Sequence, residues 1–158
     1  MDNKIKYKNL KENEIDQYSN IIINVINEFN KKDYSEEGYK RVIEQMKIDN
    51  ILERLKNGLY SFFIAKYENE IIGILEIQYT NIISLFYVKK DFHKQGIGKK
   101  LFEIYLNTIK DNTNIKKIYV HSSIYAEKIY SALGFIKTNE IQEIYGINYI
   151  PMEYLMKK

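Results

Sequence analysis

The sequence has no cysteine among its 158 residues, which excludes a disulfide framework, a thiolate metal site and a cysteine nucleophile. Tryptophan is absent as well, while tyrosine occurs 15 times. The abundance of Ile, Lys, Asn and Tyr reads as a bias of the source genome and not as function. Long basic runs are missing: the longest are pairs such as Lys31-Lys32, Lys89-Lys90, Lys99-Lys100 and Lys116-Lys117. Nucleic-acid binders gather their basic residues on one face or in one run. Here a net charge of +3 is scattered among acidic residues, so no nucleic-acid partner is indicated. No apolar run reaches membrane-spanning length. Residues 1–10 lack the apolar stretch of a signal peptide. A cytoplasmic location with no membrane partner is the expectation.

What is present is a chain of the usual size for one domain, and we expect a single domain over residues 1–158. Apolar residues make up 45%, enough for a sizeable core. Residues 3–8 alternate like a first strand. From Glu12 to Phe29, Ile15, Tyr18, Ile22, Val25, Ile26 and Phe29 recur at helical spacing. Ser35 is placed to cap a second helix, which is expected to break near Asp49-Asn50, resume at Ile51 and stop at Asn57-Gly58. Three strands rich in Ile, Phe and Tyr follow, at Leu59–Tyr67, Ile71–Tyr79 and Ile82–Val88. A polar loop over Lys89–Gly98 leads into a helix carrying Leu101, Ile104, Tyr105 and Ile109 on one face. Ile115–Val120 reads as a strand and Tyr125–Leu133 as a short helix stopped by Gly134. Two last strands fit Phe135–Glu143 and Ile147–Leu155. The strand–helix–strand from Ile82 to Val120 predicts a right-handed crossover with two parallel strands in a largely antiparallel sheet.

The loop His93-Lys94-Gln95-Gly96-Ile97-Gly98 joins a strand to a helix. Glycine there lets backbone approach a ligand. The first amides of a helix lack intrahelical partners and, with the helix dipole, form an anion site suited to phosphate. A nucleotide P-loop needs Gly-x-x-x-x-Gly-Lys-(Ser/Thr), but His93 stands five before Gly98 and Lys100 follows Lys99. A dinucleotide fingerprint needs a third glycine where Leu101 stands. The bland alternative is a glycine-rich turn that caps an ordinary helix.

The loop resembles motif A of the GNAT superfamily of N-acetyltransferases, (Gln/Arg)-x-x-Gly-x-(Gly/Ala), with His93 at the position of the usual Gln or Arg. Phe86-Tyr87-Val88 resembles the family's fourth strand, whose backbone pairs with the pantetheine arm. The stretch from Val120 to Phe135, ending Tyr130-Ser131-Ala132-Leu133-Gly134-Phe135, resembles motif B of the same superfamily. The resemblance implies an α/β (α+β) fold: a mixed central sheet of about seven strands with about four helices, splayed between the fourth and fifth strands. It implies acetyl-CoA as cosubstrate, no metal, and an amine of a small molecule or peptide as acceptor. A homodimer is compatible with it. Coenzyme A contacts would come from Phe86, Tyr87, Val88, His93, Lys94, Gln95, Gly96, Ile97, Gly98 and Lys99, and from His121 where the family often has Asn. The acceptor site would be built from Tyr34–Tyr39 and Tyr145–Tyr149.

The resemblance also makes Tyr130 the acid that protonates the departing thiolate, near the thioester and so in contact with the coenzyme. Its alternative is a core tyrosine on the apolar stripe of its helix. Glu76 interrupts an apolar strand, where a carboxylate is costly unless solvated or paired, and is the internal candidate for the base that deprotonates the amine. Its alternative is a carboxylate on a wet strand face or at the strand's frayed end, and the other candidate for the base is a held water. The reading is an acetyl-CoA-dependent N-acetyltransferase; the alternative is a non-catalytic acyl-CoA-binding or sensing module of the same fold.

Overall fold

The computed structural model describes residues 4–157, so residue 3 of the expected first strand lies outside the described residues. The described residues form eight strands and five α-helices. In order they are β1 (Ile5–Asn9), α1 (Ile15–Val25), α2 (Glu36–Gln45), α3 (Ile48–Lys56), β2 (Tyr60–Tyr67), β3 (Glu70–Gln78), β4 (Ile82–Val88), α4 (Ile97–Ile109), β5 (Lys117–Ser122), α5 (Glu127–Leu133), β6 (Ile136–Lys137), β7 (Gln142–Ile144) and β8 (Ile147–Leu155). One mixed sheet runs β1-β2-β3-β4-β5-β8-β6, with β7 also on β8. β4 and β5 are parallel, as the crossover rule predicts, and the other pairings are antiparallel.

The sheet separates two apolar layers. On one face Ile97, Leu101, Phe102, Tyr105 and Ile109 of α4 pack with Tyr130 of α5 against β2, β3, β5 and β8. On the other, Ile15, Tyr18, Ile22 and Ile26 pack with Ile51 against Phe62, Ile64, Ile71 and Ile74. Strands β2 and β3 are covered on both faces, which is why they read as near-continuous apolar runs.

Several boundaries differ from the sequence expectation, and three of them shape the parts of the fold described below. The helical break falls at Met46-Lys47, where Lys47 is extended (ψ 150°), so Asp49 and Asn50 sit in the first turn of α3. Asn50 holds the break by donating to the Glu44 carbonyl at 2.8 Å. The strand expected over Phe135–Glu143 is divided into β6 and β7. Pro151 of β8 faces the gap: its carbonyl accepts from the Thr138 amide at 3.0 Å, but it has no N–H to return. β5 starts and ends two residues later than expected, which brings His121 and Ser122 into the strand.

The N-terminal strand is fastened by a buried carboxylate. Glu14 accepts from Lys8 (2.6 Å), Lys66 (2.7 Å) and the Lys11 amide (2.9 Å), tying β1, β2 and the start of α1 together. Burial pushes its carboxyl up, but the bonds from Lys66, Lys8 and Lys11 outweigh this and bring its pKa down to about 2. A depressed carboxylate stabilises the fold above its unfolded pKa and loses that contribution as pH falls through the folded one. We therefore expect Glu14 to contribute about 1–3 kcal/mol at neutral pH, lost between pH 4.5 and about 2. Urea unfolding of Glu14→Gln across that window should show a shallower acid limb than wild type. Parallel limbs would assign the acid sensitivity elsewhere.

Candidate active site

The parallel pairing of β4 and β5 ends almost as it begins, at Ile82↔Tyr119 and Ile83↔Val120. Beyond it the strands diverge, and residues 84–88 of β4 keep β3 on one edge while the edge toward β5 opens. A cleft of about 480 Å³ occupies this opening, within the usual range for small-molecule sites. Phe86, Tyr87 and Val88 form one side, and Ser123, Ala126 and Ile129 the other.

One end of the cleft is built by the loop that leads into α4. Lys94 (φ 63°) and Gly96 (φ 77°) both adopt left-handed backbone, turning the chain sharply into α4. Glycine is the residue that accepts such a conformation without strain. The first intrahelical bond runs from the Lys100 amide to the Gly96 carbonyl (2.9 Å), so the amides of Ile97, Gly98 and Lys99 stand free of helical partners at the cleft. The positive end of the α4 dipole adds to them. His93, Lys94, Gly96, Ile97, Gly98 and Lys99 all line the cleft, whereas Gln95 points to solvent beside it. His93 is engaged with the protein itself: its Nε2 lies 2.6 Å from the Val88 carbonyl oxygen, so it carries the proton there and clips the loop to the end of β4.

This chain matches the family model of the acetyltransferase (GNAT) domain over residues 30–156. The protein belongs to the GNAT acetyltransferase family. Acetyl-CoA is the acetyl donor of that family, and the apolar cleft ending in free helix amides fits such a ligand. The fold agrees with solved GNAT structures. A GCN5-related N-acetyltransferase from Rhodopseudomonas palustris superimposes with a TM-score of 0.77 at 17% identity, covering 96% of this chain and 95% of that one. The PaiA N-acetyltransferase from Thermoplasma acidophilum, solved with coenzyme A, gives 0.73 at 18% identity over 96% and 99%. A variant of the spermidine N-acetyltransferase SpeG from Vibrio cholerae gives 0.64 at 16% identity over 97% and 94%. No curated protein matches the chain in sequence.

Other residues marked in the sequence occupy different places in this GNAT fold. Tyr130 is 5% exposed and does not line the cleft. Its ring stands edge-on to Phe86 (6.0 Å), which lines the cleft, and to Phe135 (5.4 Å). Its hydroxyl makes no hydrogen bond among the described residues, and burial pushes the phenol well above its ordinary pKa. Glu76 is not brought to the cleft at all. It is 2% exposed, accepting from the Tyr18 hydroxyl (2.6 Å) and Arg54 Nε (3.1 Å) under α1 and α3. Burial raises its pKa, opposed by Arg54 and Tyr18. A carboxylate so enclosed is a structural partner of Arg54, which corrects the sequence reading of Glu76 as the base.

His121 also departs from its expected place. Ile118, Val120 and Ser122 of β5 face the α4 layer, so His121 projects from the opposite face of the sheet. There it stacks on Tyr149 at 4.0 Å and does not line the cleft. Ser123, two residues on, lines it instead. The sequence reading ended β5 at Val120 and so left His121 outside the strand, where no alternation fixes its face.

It also missed Phe29. A π-helical turn over Ile26–Asn30 extends α1 and carries Phe29 to the cleft, where it stacks on Tyr125 at 4.9 Å. Such turns often occur at functional sites. The two acceptor segments expected from the resemblance do meet: Tyr34 bridges Ile147, and the Ser35 amide donates to the Gly146 carbonyl at 2.7 Å.

Proposed function

We propose that this single domain over residues 1–158 is a cytoplasmic, acetyl-CoA-dependent N-acetyltransferase that acts on a primary amine of a small molecule or peptide by direct attack. The observation that carries the reading is the row of free amides at Ile97–Lys99, opening on an apolar cleft between diverging parallel strands. Those amides hold the pyrophosphate. A backbone N–H near Val88 on the open edge of β4 polarises the thioester carbonyl, as an oxyanion donor does. The cleft residues Phe86, Tyr87 and Val88 seat the pantetheine arm. The coenzyme A-bound Thermoplasma protein and the spermidine enzyme of Vibrio cholerae are consistent with this donor and with an amine acceptor.

In this reading Tyr130 gives its proton to the departing thiolate. Its raised pKa keeps the phenol protonated, the form an acid needs. Tyr130 packs edge-on against Phe86, which lines the cleft, and so stands next to the path of the pantetheine arm. The absence of Tyr130 from the residues that line the cleft favours one rival, a non-catalytic acyl-CoA sensor. The experiment is thiol release from acetyl-CoA with a panel of spermidine, L-lysine, benzylamine and a short peptide with a free N-terminus. We expect release with at least one amine. We also expect Tyr130→Phe to lower kcat by at least about tenfold, with acetyl-CoA affinity within twofold of wild type. Unchanged turnover with lowered thermal stability would make Tyr130 a core residue only. Tight acetyl-CoA binding with no release from any amine would favour the sensor.

A further inference from the structure

We infer that His121 is the general base that takes the proton from the attacking amine. The inference rests on the N-acetyltransferase reading above and names the group that reading leaves open once Glu76 is enclosed by Tyr18 and Arg54.

The placement follows from register. β5 is paired with β4 only at Tyr119 and Val120, so His121 is the first residue beyond the pairing and flanks the opening. One strand residue advances about 3.3 Å, so its backbone lies at the lip of the splay. Side-chain alternation then decides the face. Val120 and Ser122 point to the α4 layer, from which the phosphate-binding amides reach the cleft, and His121 points to the other. A donor anchored by α4 and passing into the opening would present its thioester toward that second face. The apolar layer of α1 and α3 packs on β2, β3 and Leu85 there and includes no residue of β5 or β8, and His121 is exposed, so an amine can approach beside it.

The ring is oriented for the task. It stacks on Tyr149 of β8 (22° between planes), and neither nitrogen is hydrogen-bonded among the described residues. Partial burial lowers its pKa, which favours the neutral imidazole at pH 7. The charged groups on this strip are Lys117 and Glu153, which pair with each other at 3.1 Å. Tyr119 of β5 and Pro151 of β8 share its face, Tyr149 stacks on it, and Gln142 of β7 lies opposite Tyr149. The Glu153 carboxylate is engaged by Lys117 and so does not hold the imidazole protonated.

The step balances. The amine nitrogen forms a C–N bond to the acetyl carbon and the C–S bond breaks. The amine's N–H proton passes to the free ring nitrogen of His121, directly or through one water, and the Tyr130 proton goes to the thiolate. Solvent then takes the proton from His121 and returns one to Tyr130, leaving an N-acetyl amide and free coenzyme A.

The test is thiol release with the amine panel named above, on wild type and His121→Gln, from pH 5.5 to 9. We expect His121→Gln to lower kcat at least tenfold with acetyl-CoA affinity and melting temperature unchanged. The wild-type kcat should fall below about pH 6.5, the ordinary range of histidine, and that limb should vanish in the variant. Added imidazole should restore part of the rate. Full kcat in His121→Gln overturns the inference while leaving the acetyltransferase reading intact. So does a loss that keeps the limb and resists imidazole, which marks a merely structural residue. Acetyl-CoA bound by wild type but consumed with no amine overturns both.

Discussion

Arg54→Met should lower the melting temperature by roughly 6–12 °C, corresponding to about 3 kcal/mol. The guanidinium is 7% exposed and does three jobs. It donates from Nε to Glu76 at 3.1 Å and from Nη1 to the Gln45 carbonyl at 2.7 Å, and it lies 5.7 Å from the Tyr60 ring. Removing it leaves the Glu76 carboxylate in an apolar layer with Tyr18 as its remaining partner. An uncompensated buried charge is the costly outcome, whereas replacing both partners with apolar residues is often neutral. Arg54→Met/Glu76→Leu should therefore recover most of the loss.

The sign of the pH dependence separates this from simple lost packing. Burial already raises the Glu76 pKa, and Arg54 opposes that rise. Without Arg54 it rises further. A raised carboxyl favours the fold when protonated, so the single variant should lose stability as pH climbs above about 4.5, the unfolded carboxyl range. Melting curves at pH 5 and pH 8 check this. A deficit of equal size at both would assign the cost to packing.

Gly98→Val should reduce acetyl-CoA affinity at least a hundredfold with little loss of stability. Gly98 is the second residue of α4 and lines the cleft. A Cβ placed there would meet Val88 Cγ2 at 3.5 Å and the Phe86 ring at 3.6 Å. These are ordinary contacts, so the protein itself accepts a small side chain. The two further methyls of valine extend between the α4 amides and β4, where the ligand must pass. Gly98→Ala should show an intermediate loss. Isothermal titration reads both, and wild-type affinity in Gly98→Val would place the ligand elsewhere.

Much of this was legible in the sequence because local chemistry and tertiary packing agree. Ser35 caps α2 by accepting from the Gly38 amide at 3.0 Å, and Gly134 stops α5 in the left-handed conformation, as their residue types suggest. The strand limits of β4 and the phosphate-facing loop follow from a polar, glycine-bearing segment set between an apolar run and an amphipathic helix. What could not be read depends on partners distant in sequence. Glu76 stands out in its strand, but only the packing of α1 and α3 reveals that Tyr18 and Arg54 enclose it. His121 takes its face from a strand that runs two residues past its expected end, and no local pattern marks that end. The break between β6 and β7 follows from Pro151 across the sheet, a cause with no trace in the residues that break.

The measurement closest to the central claim is calorimetric titration of the wild-type protein with acetyl-CoA and, separately, with ATP. A helix N-terminus that opens into a pantetheine groove should bind acetyl-CoA at least tenfold more tightly than ATP, because only acetyl-CoA extends into the apolar cleft beside Phe86 and Val88. Equal affinities would reduce the loop to a general phosphate site and contradict the assignment of the cleft to acetyl-CoA.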